Sequence, residues 1–142
     1  MAGKKIILGI DPGYAITGFG IISVESQKIK CLDCGVIRTS AGLPFSARIQ
    51  ELYTELRKII KKYKPNIVSV EELFFYKNVT TAIMVGQARG VIILTATLEH
   101  VPVVEYTPLQ VKQAISNYGR AGKGQVQQMV KILLGLKDIP KP

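Results

Sequence analysis

The sequence is poor in the residues that most soft-metal and nucleophilic chemistry needs. Its 142 residues include one histidine, two cysteines and no tryptophan. His100 stands alone, and Cys31 and Cys34 make a single C-x-x-C. A tetrahedral zinc site therefore lacks its second pair of ligands. The segment "KIKCLDCGVIRT" alternates like a strand, in which residues three apart face opposite sides. Cys31 and Cys34 are expected to be two reduced structural thiols, as in a cytoplasmic protein. No apolar run approaches the roughly 20 residues that span a bilayer. The longest, Val91 to Leu98, sits within a helical pattern. "MAGKKIILGID" starts basic, but its apolar run is short and meets an acid, unlike a secretory leader. Acid is scarce as well: 10 Asp and Glu face 19 Lys and Arg, a net charge of +9. That excess favours a polyanionic partner, nucleic acid before membrane.

What is present describes one folded domain. At 47% apolar the chain has the material for a core. "KKIILGID", "ITGFGIISVES" and "KIKCLDCGVIRT" read as three strands, the last two joined at a turn near Ser26 to Lys28. Such tight links make an antiparallel meander. "PFSARIQELYTELRKIIKKYK" then carries Ile49, Leu52, Tyr53, Leu56, Ile59 and Ile60 at helical spacing. Ser46, or a residue just before it, is the expected cap, and Pro65 closes the helix. "NIVSVEEL" is a short apolar strand, hence central. A long helix from about Val79 to Leu98 follows, then a fifth strand, "PVVEY". "TPLQVKQAIS" and "KGQVQQMVKILLGL" read as two shorter helices. The chain closes on "KDIPKP", whose prolines make a connector. The expectation is one α/β domain over 1–142, truncated or disordered after about 138.

Three groups of acids stand apart from those with ordinary surface surroundings. Asp11 ends the first strand, Glu71 and Glu72 the fourth, and Glu105 the fifth. Sites in open α/β sheets lie at the carboxyl ends of strands. Neighbouring strands are about 4.8 Å apart, so adjacent first and fourth strands put Asp11 and a Glu within reach of one divalent ion. Alternation selects between the two glutamates. Ile7, Gly9 and Asp11 share a face, as do Ile67, Ser69 and Glu71. Gly9 and Ser69 are small and leave room for an ion and a phosphate. Glu72 points to the other face.

"GIDPGYAITGFG", "VSVEELFFYKN", "GQARGVI" and "QVKQAISNYGRAGKGQVQQMV" occur in that order. Together they resemble the RuvC family, bacterial Holliday-junction resolvases with a ribonuclease H-like fold. The resemblance runs from about Ile6 to about Leu136. It implies a five-stranded mixed sheet, an antiparallel meander plus two parallel strands, flanked by helices. It also implies a cytoplasmic homodimer that nicks two opposing strands of a four-way DNA junction in recombination and repair, alongside a branch-migration motor. Cleavage would use water and leave a 5′-phosphate and a 3′-hydroxyl. By the resemblance, Asp11 and Glu71 are catalytic and hold Mg²⁺ or Mn²⁺. Two ions about 3.5–4 Å apart clamp the attacking and leaving oxygens of an in-line displacement.

The same resemblance makes Lys112 and Lys123 contacts to the DNA backbone, with Arg120 beside Lys123 among glycines ahead of a helix. Phe74 matches an aromatic that stacks on bases at the junction centre, and Phe75 and Tyr76 are candidates for the same role. Lys77 and Arg89 are further candidate phosphate contacts. The family takes its remaining metal ligands from a helix beyond the proline connector. Asp138 precedes that connector, and neither it nor His100 is assigned. The 142-residue chain is therefore expected to cleave poorly. Two other readings stay open: a ribonuclease H-like nuclease that processes RNA, and a non-catalytic junction-binding module.

Overall fold

The computed structural model describes residues 3–72 and 78–116. Its elements run β1 (Lys5–Asp11), β2 (Ile16–Glu25), β3 (Lys28–Arg38), α1 (Phe45–Tyr63), β4 (Ile67–Glu71), α2 (Val79–Leu98), β5 (Val103–Tyr106) and α3 (Pro108–Ser116). One sheet has the order β3-β2-β1-β4-β5. β1, β2 and β3 pair antiparallel, and β4 and β5 run parallel to β1. This is the mixed ribonuclease H-like sheet that the sequence implied. The expected helix at 123–136 and the "KDIPKP" connector lie outside the described residues.

The pleat sorts the sheet into two unlike faces. Leu8, Ile10, Ile21, Ile37, Val68 and Val70 are buried on one of them. Leu52, Leu56 and Ile60 of α1 and Ala88, Ile92 and Ala96 of α2 complete that core. The other face carries Gly9 and Asp11 of β1, Gly18 and Gly20 of β2, Ser69 and Glu71 of β4, and Tyr106 of β5. It is nearly bare of side chains at its centre, and the two leading acids project from it.

Asn66 ties β4 to β1 before the ladder starts. Its Oδ1 accepts the Ile6 N–H at 2.7 Å and its own N–H donates to the Ile6 carbonyl at 2.8 Å. The α1 helix ends at Lys64, which takes the left-handed conformation at φ 48°, and buried Pro65 leads directly into Asn66. At the other end of α1 the cap falls before Ser46, which lies inside the helix. Pro44 is the N-cap, and its carbonyl takes the N–H groups of both Ala47 and Arg48. Proline fits there because its fixed φ suits the entry to a helix. Asn78 caps α2 by accepting the Thr81 N–H. Thr107 and Gln110 form a reciprocal capping box ahead of α3, each side chain accepting the other's N–H.

Two expectations need correction. Cys31 and Cys34 do not face opposite sides. The β2–β3 register shifts between Ile21 and Ile22: Asp33 stands opposite Ile21, and Cys31 opposite Ile22. Leu32 is the extra residue of a β-bulge, and it packs against the core. One inserted residue restores parity, so Cys31 and Cys34 share the face of Ile22 and Gly20. The second correction concerns α2, which is long and apolar enough to cross a membrane by length and composition, with a hydropathy of 1.5. Its polar residues are mostly threonines, which weigh little. Val85, Ala88, Ile92, Thr95 and Ala96 are buried along one side, and that side packs on the core.

The turn after β1 is closed by one side chain. Thr17 Oγ1 donates to the Gly13 carbonyl at 2.6 Å and accepts the Gly13 N–H at 3.2 Å. A Cβ on Gly13 would collide with the Ile16 carbonyl oxygen, so this close approach requires glycine. Thr17 is 1% exposed. Thr17→Val keeps the shape but leaves both Gly13 groups without that partner. It is expected to lower unfolding stability by about 1–3 kcal/mol, measured by urea denaturation.

Candidate active site

β1 and β4 pair in parallel with Gly9 opposite Ser69 and Ile10 opposite Val70. The next step along both strands brings Asp11 beside Glu71. Asp11 is exposed and Glu71 half-buried. The two carboxyls interact directly. Burial first, then the charge of Asp11 and a hydrogen bond to it, raises Glu71 above the usual carboxylate range. Lys112 on α3 opposes this shift through its charge, which places its ammonium near the pair. Glu72 follows β4, and its N–H donates to the Tyr106 carbonyl at 2.6 Å.

Tyr106 is a site-face residue that the sequence reading overlooked. It stands opposite Glu71 in the β4–β5 register and is 41% exposed. The signal was available: in "PVVEY" either of the last two residues can face the site, and the register selects Tyr106. Glu105 stands opposite Val70 and so belongs to the helix-covered face. There it pairs with Arg89 of α2. Arg89, a candidate phosphate contact, is thus placed in an ion pair on the helix-covered side of the sheet. Its guanidinium is largely enclosed, and Nε has no hydrogen-bond partner among the described residues.

Of the candidate DNA contacts, the structure brings Lys112 to the carboxylates and carries Arg89 away. Phe74, Phe75, Tyr76, Lys77, Arg120 and Lys123 lie outside the described residues, as does Asp138. His100 sits just past α2 in the left-handed conformation, φ 61°, with its N–H donating to the Thr97 carbonyl. It closes a helix, in keeping with the structural role expected of it.

Asp11 and Glu71 suit a hard divalent cation. They supply oxygen ligands, and Mg²⁺ retains several waters and so needs few from the protein. A cation would also offset the Asp11 charge that, after burial, raises Glu71. No group of three or more His, Cys, Asp or Glu that would hold a metal occurs among the described residues.

A ribonuclease H-like sheet with paired acids at the ends of its two central strands, beside a lysine, defines a class of metal-dependent nucleases. The comparisons narrow the class. Residues 7–142 match the family described as crossover junction endodeoxyribonuclease RuvC. A protein of that description from Caldicellulosiruptor saccharolyticus is 58% identical over 137 residues, covering 96% of this chain and 82% of the relative. One from Brevibacillus brevis is 54% identical over 136 residues, with the same coverage. The structure of T. thermophilus RuvC in complex with a Holliday junction substrate superposes with a TM-score of 0.90 at 36% identity. That match covers 97% of this chain and 84% of the other. The chain belongs to the RuvC family.

The raised Glu71 makes stability depend on pH. A carboxyl whose pKa is higher in the folded state stabilises the fold while protonated, and this contribution is lost as pH rises through the folded-state pKa. Without metal, the thermal midpoint is therefore expected to fall as pH rises above the ordinary carboxylate range. Glu71→Gln should flatten that decline and raise the metal-free midpoint at neutral pH. Melting curves in a chelator across a pH series measure both effects.

Proposed function

We propose that this chain is a structure-selective DNA endonuclease that resolves Holliday junctions by metal-dependent nicking of two opposing strands. Four-way junction DNA is its substrate, and it acts in the cytoplasm. The observation that carries the reading is the direct Asp11–Glu71 contact on a sheet face cleared by Gly9, Gly18 and Gly20, with Lys112 alongside. Membership of the RuvC family supports the substrate.

Asp11 and Glu71 would hold Mg²⁺, with Mn²⁺ as an alternative and two ions per site. When bound, the ions supply Lewis-acid stabilisation of the charge that develops during phosphodiester hydrolysis. Water adds its oxygen to phosphorus, the bond from phosphorus to the 3′-oxygen breaks, and that oxygen gains a proton. The products are a 5′-phosphate and a 3′-hydroxyl. The missing Cβ atoms of Gly9 and Gly20 leave the face open to a strand of DNA, since among the described residues only the Gly20 carbonyl lies within 4 Å of the space beside Gly9 and nothing lies within 4 Å of that beside Gly20. Lys112 attracts the backbone phosphates and holds Glu71 toward its ionised form. Lys123 and Arg120 add phosphate contacts, with Lys77 in reserve. Phe74, helped by Phe75 and Tyr76, stacks on bases that the junction centre leaves unpaired.

A homodimer through α2 explains two symmetric cuts. The outer side of α2 carries Ile83 at 57% and Leu94 at 54% exposure, with Gly86 and Gly90 between them. Among the described residues, a Cβ added at either glycine meets nothing within 4 Å, so the row forms a shallow trough for a second helix. A branch-migration motor would complete the assembly.

Cleavage of a synthetic four-way junction with Mg²⁺ tests the reading. Asp11→Asn should lower the cutting rate on the order of 10³-fold and leave junction binding in place. Preferential cutting of RNA would assign the chain to RNA processing. Tight junction binding without any metal-dependent cutting would make it a binding module. In sedimentation at micromolar concentration, Leu94→Lys is expected to shift the protein from dimer to monomer.

A further inference from the structure

We propose that Cys31 and Cys34 form a reversible intramolecular disulfide, an oxidisable switch on the edge strand of the sheet. The bulge at Leu32 makes this geometry. Without it the two thiols would stand on opposite faces of β3. With it, Cys31 aligns with Ile22 and Cys34 with Gly20, two positions apart on one face. Their partners Ile22 and Gly20 are two strand steps apart, about 6.8 Å, the upper end of the disulfide range, and the bulge bends β3 between the two thiols. Gly20 carries no side chain, so nothing from β2 crowds Cys34. Among the described residues, a Cβ at Gly20 would itself meet nothing within 4 Å.

The two thiols differ in the way that exchange chemistry requires. Cys34 is exposed and Cys31 half-buried, and both are free. Burial first, then the neighbouring Cys34, raises the Cys31 thiol, in keeping with the contact between them. The Cys31 Sγ lies 3.7 Å from the Asp33 carbonyl, while Asp33 is fixed by the Tyr63 hydroxyl at 2.6 Å and by the Cys34 N–H at 2.8 Å. These bonds hold the bulged segment in place during reaction.

The oxidant is a low-molecular-weight disulfide. The Cys34 thiolate attacks one of its sulfurs, forming a mixed disulfide and releasing one small thiol. The Cys31 thiolate then attacks Cys34 Sγ and releases the second. The protein loses two electrons and two protons, which the small disulfide gains. A bond near the limit of its geometry on an exposed strand is easily reduced, as in labile disulfides. Oxidation therefore reverses in a reducing cytoplasm.

The test treats the folded chain with excess oxidised glutathione and reads intact mass, free thiols and non-reducing gel mobility. The expected product is a monomeric polypeptide lighter by two hydrogens, with both thiols lost, a peptide linking residues 31 and 34, and an unchanged circular dichroism spectrum. Dithiothreitol should restore both thiols. Cys31→Ser should stop at a stable glutathione adduct on Cys34. Three results overturn the proposal: both thiols surviving in the folded chain, an adduct on the wild-type protein that never resolves, or a 31–34 bond that forms only in denaturant.

Discussion

The parallel pairing of β1 with β4 is the constraint on which everything at the site depends. Gly9 opposite Ser69 fixes a register in which Asp11 and Glu71 meet at the ends of their strands. A slip of one residue would send one of them to the helix-covered face, because side chains alternate with a period of two. Asn66 guards against that slip by bonding both ways to Ile6 before the ladder begins. The cost of the arrangement is visible in Glu71, which is held half-buried against a like charge. Such a pair is poised for a cation and is a poor source of stability without one.

The same sheet serves two purposes on its two faces. Leu8, Ile10, Val68 and Val70 bury one face under α1 and α2, where close packing makes it rigid. The opposite face gives up that packing. Its centre is built of Gly9, Gly18, Gly20 and Ser69, residues that contribute little burial and leave space for a phosphate backbone. A rigid buried face thus holds the acids of the open face at a fixed separation, as a pre-organised catalytic site requires.

Much of this was legible in the sequence. Strand alternation chose Glu71 over Glu72 and placed Gly9 and Ser69 behind the acids. Helical spacing in α1 named Leu52, Leu56 and Ile60, all buried. The misreadings share a cause: each depended on a partner distant in the chain. Glu105 ends a strand much as Asp11 does, yet the β4–β5 register turns it toward Arg89 and gives the site face to Tyr106.

The sequence by itself determined the order of strands and helices, the acids that share the site face and the basic excess that draws a polyanion. These follow from periodicity and composition, which are local properties of the chain. Only the tertiary structure decided the register, the bulge that brings Cys31 and Cys34 to one side, the pairing of Arg89 with Glu105 and the approach of Lys112 to the carboxylates. Each of these is a contact between residues whose spacing along the chain carries no signal for it. A bulge shifts parity by one residue without any change of period, and an ion pair across elements exists only once both have packed.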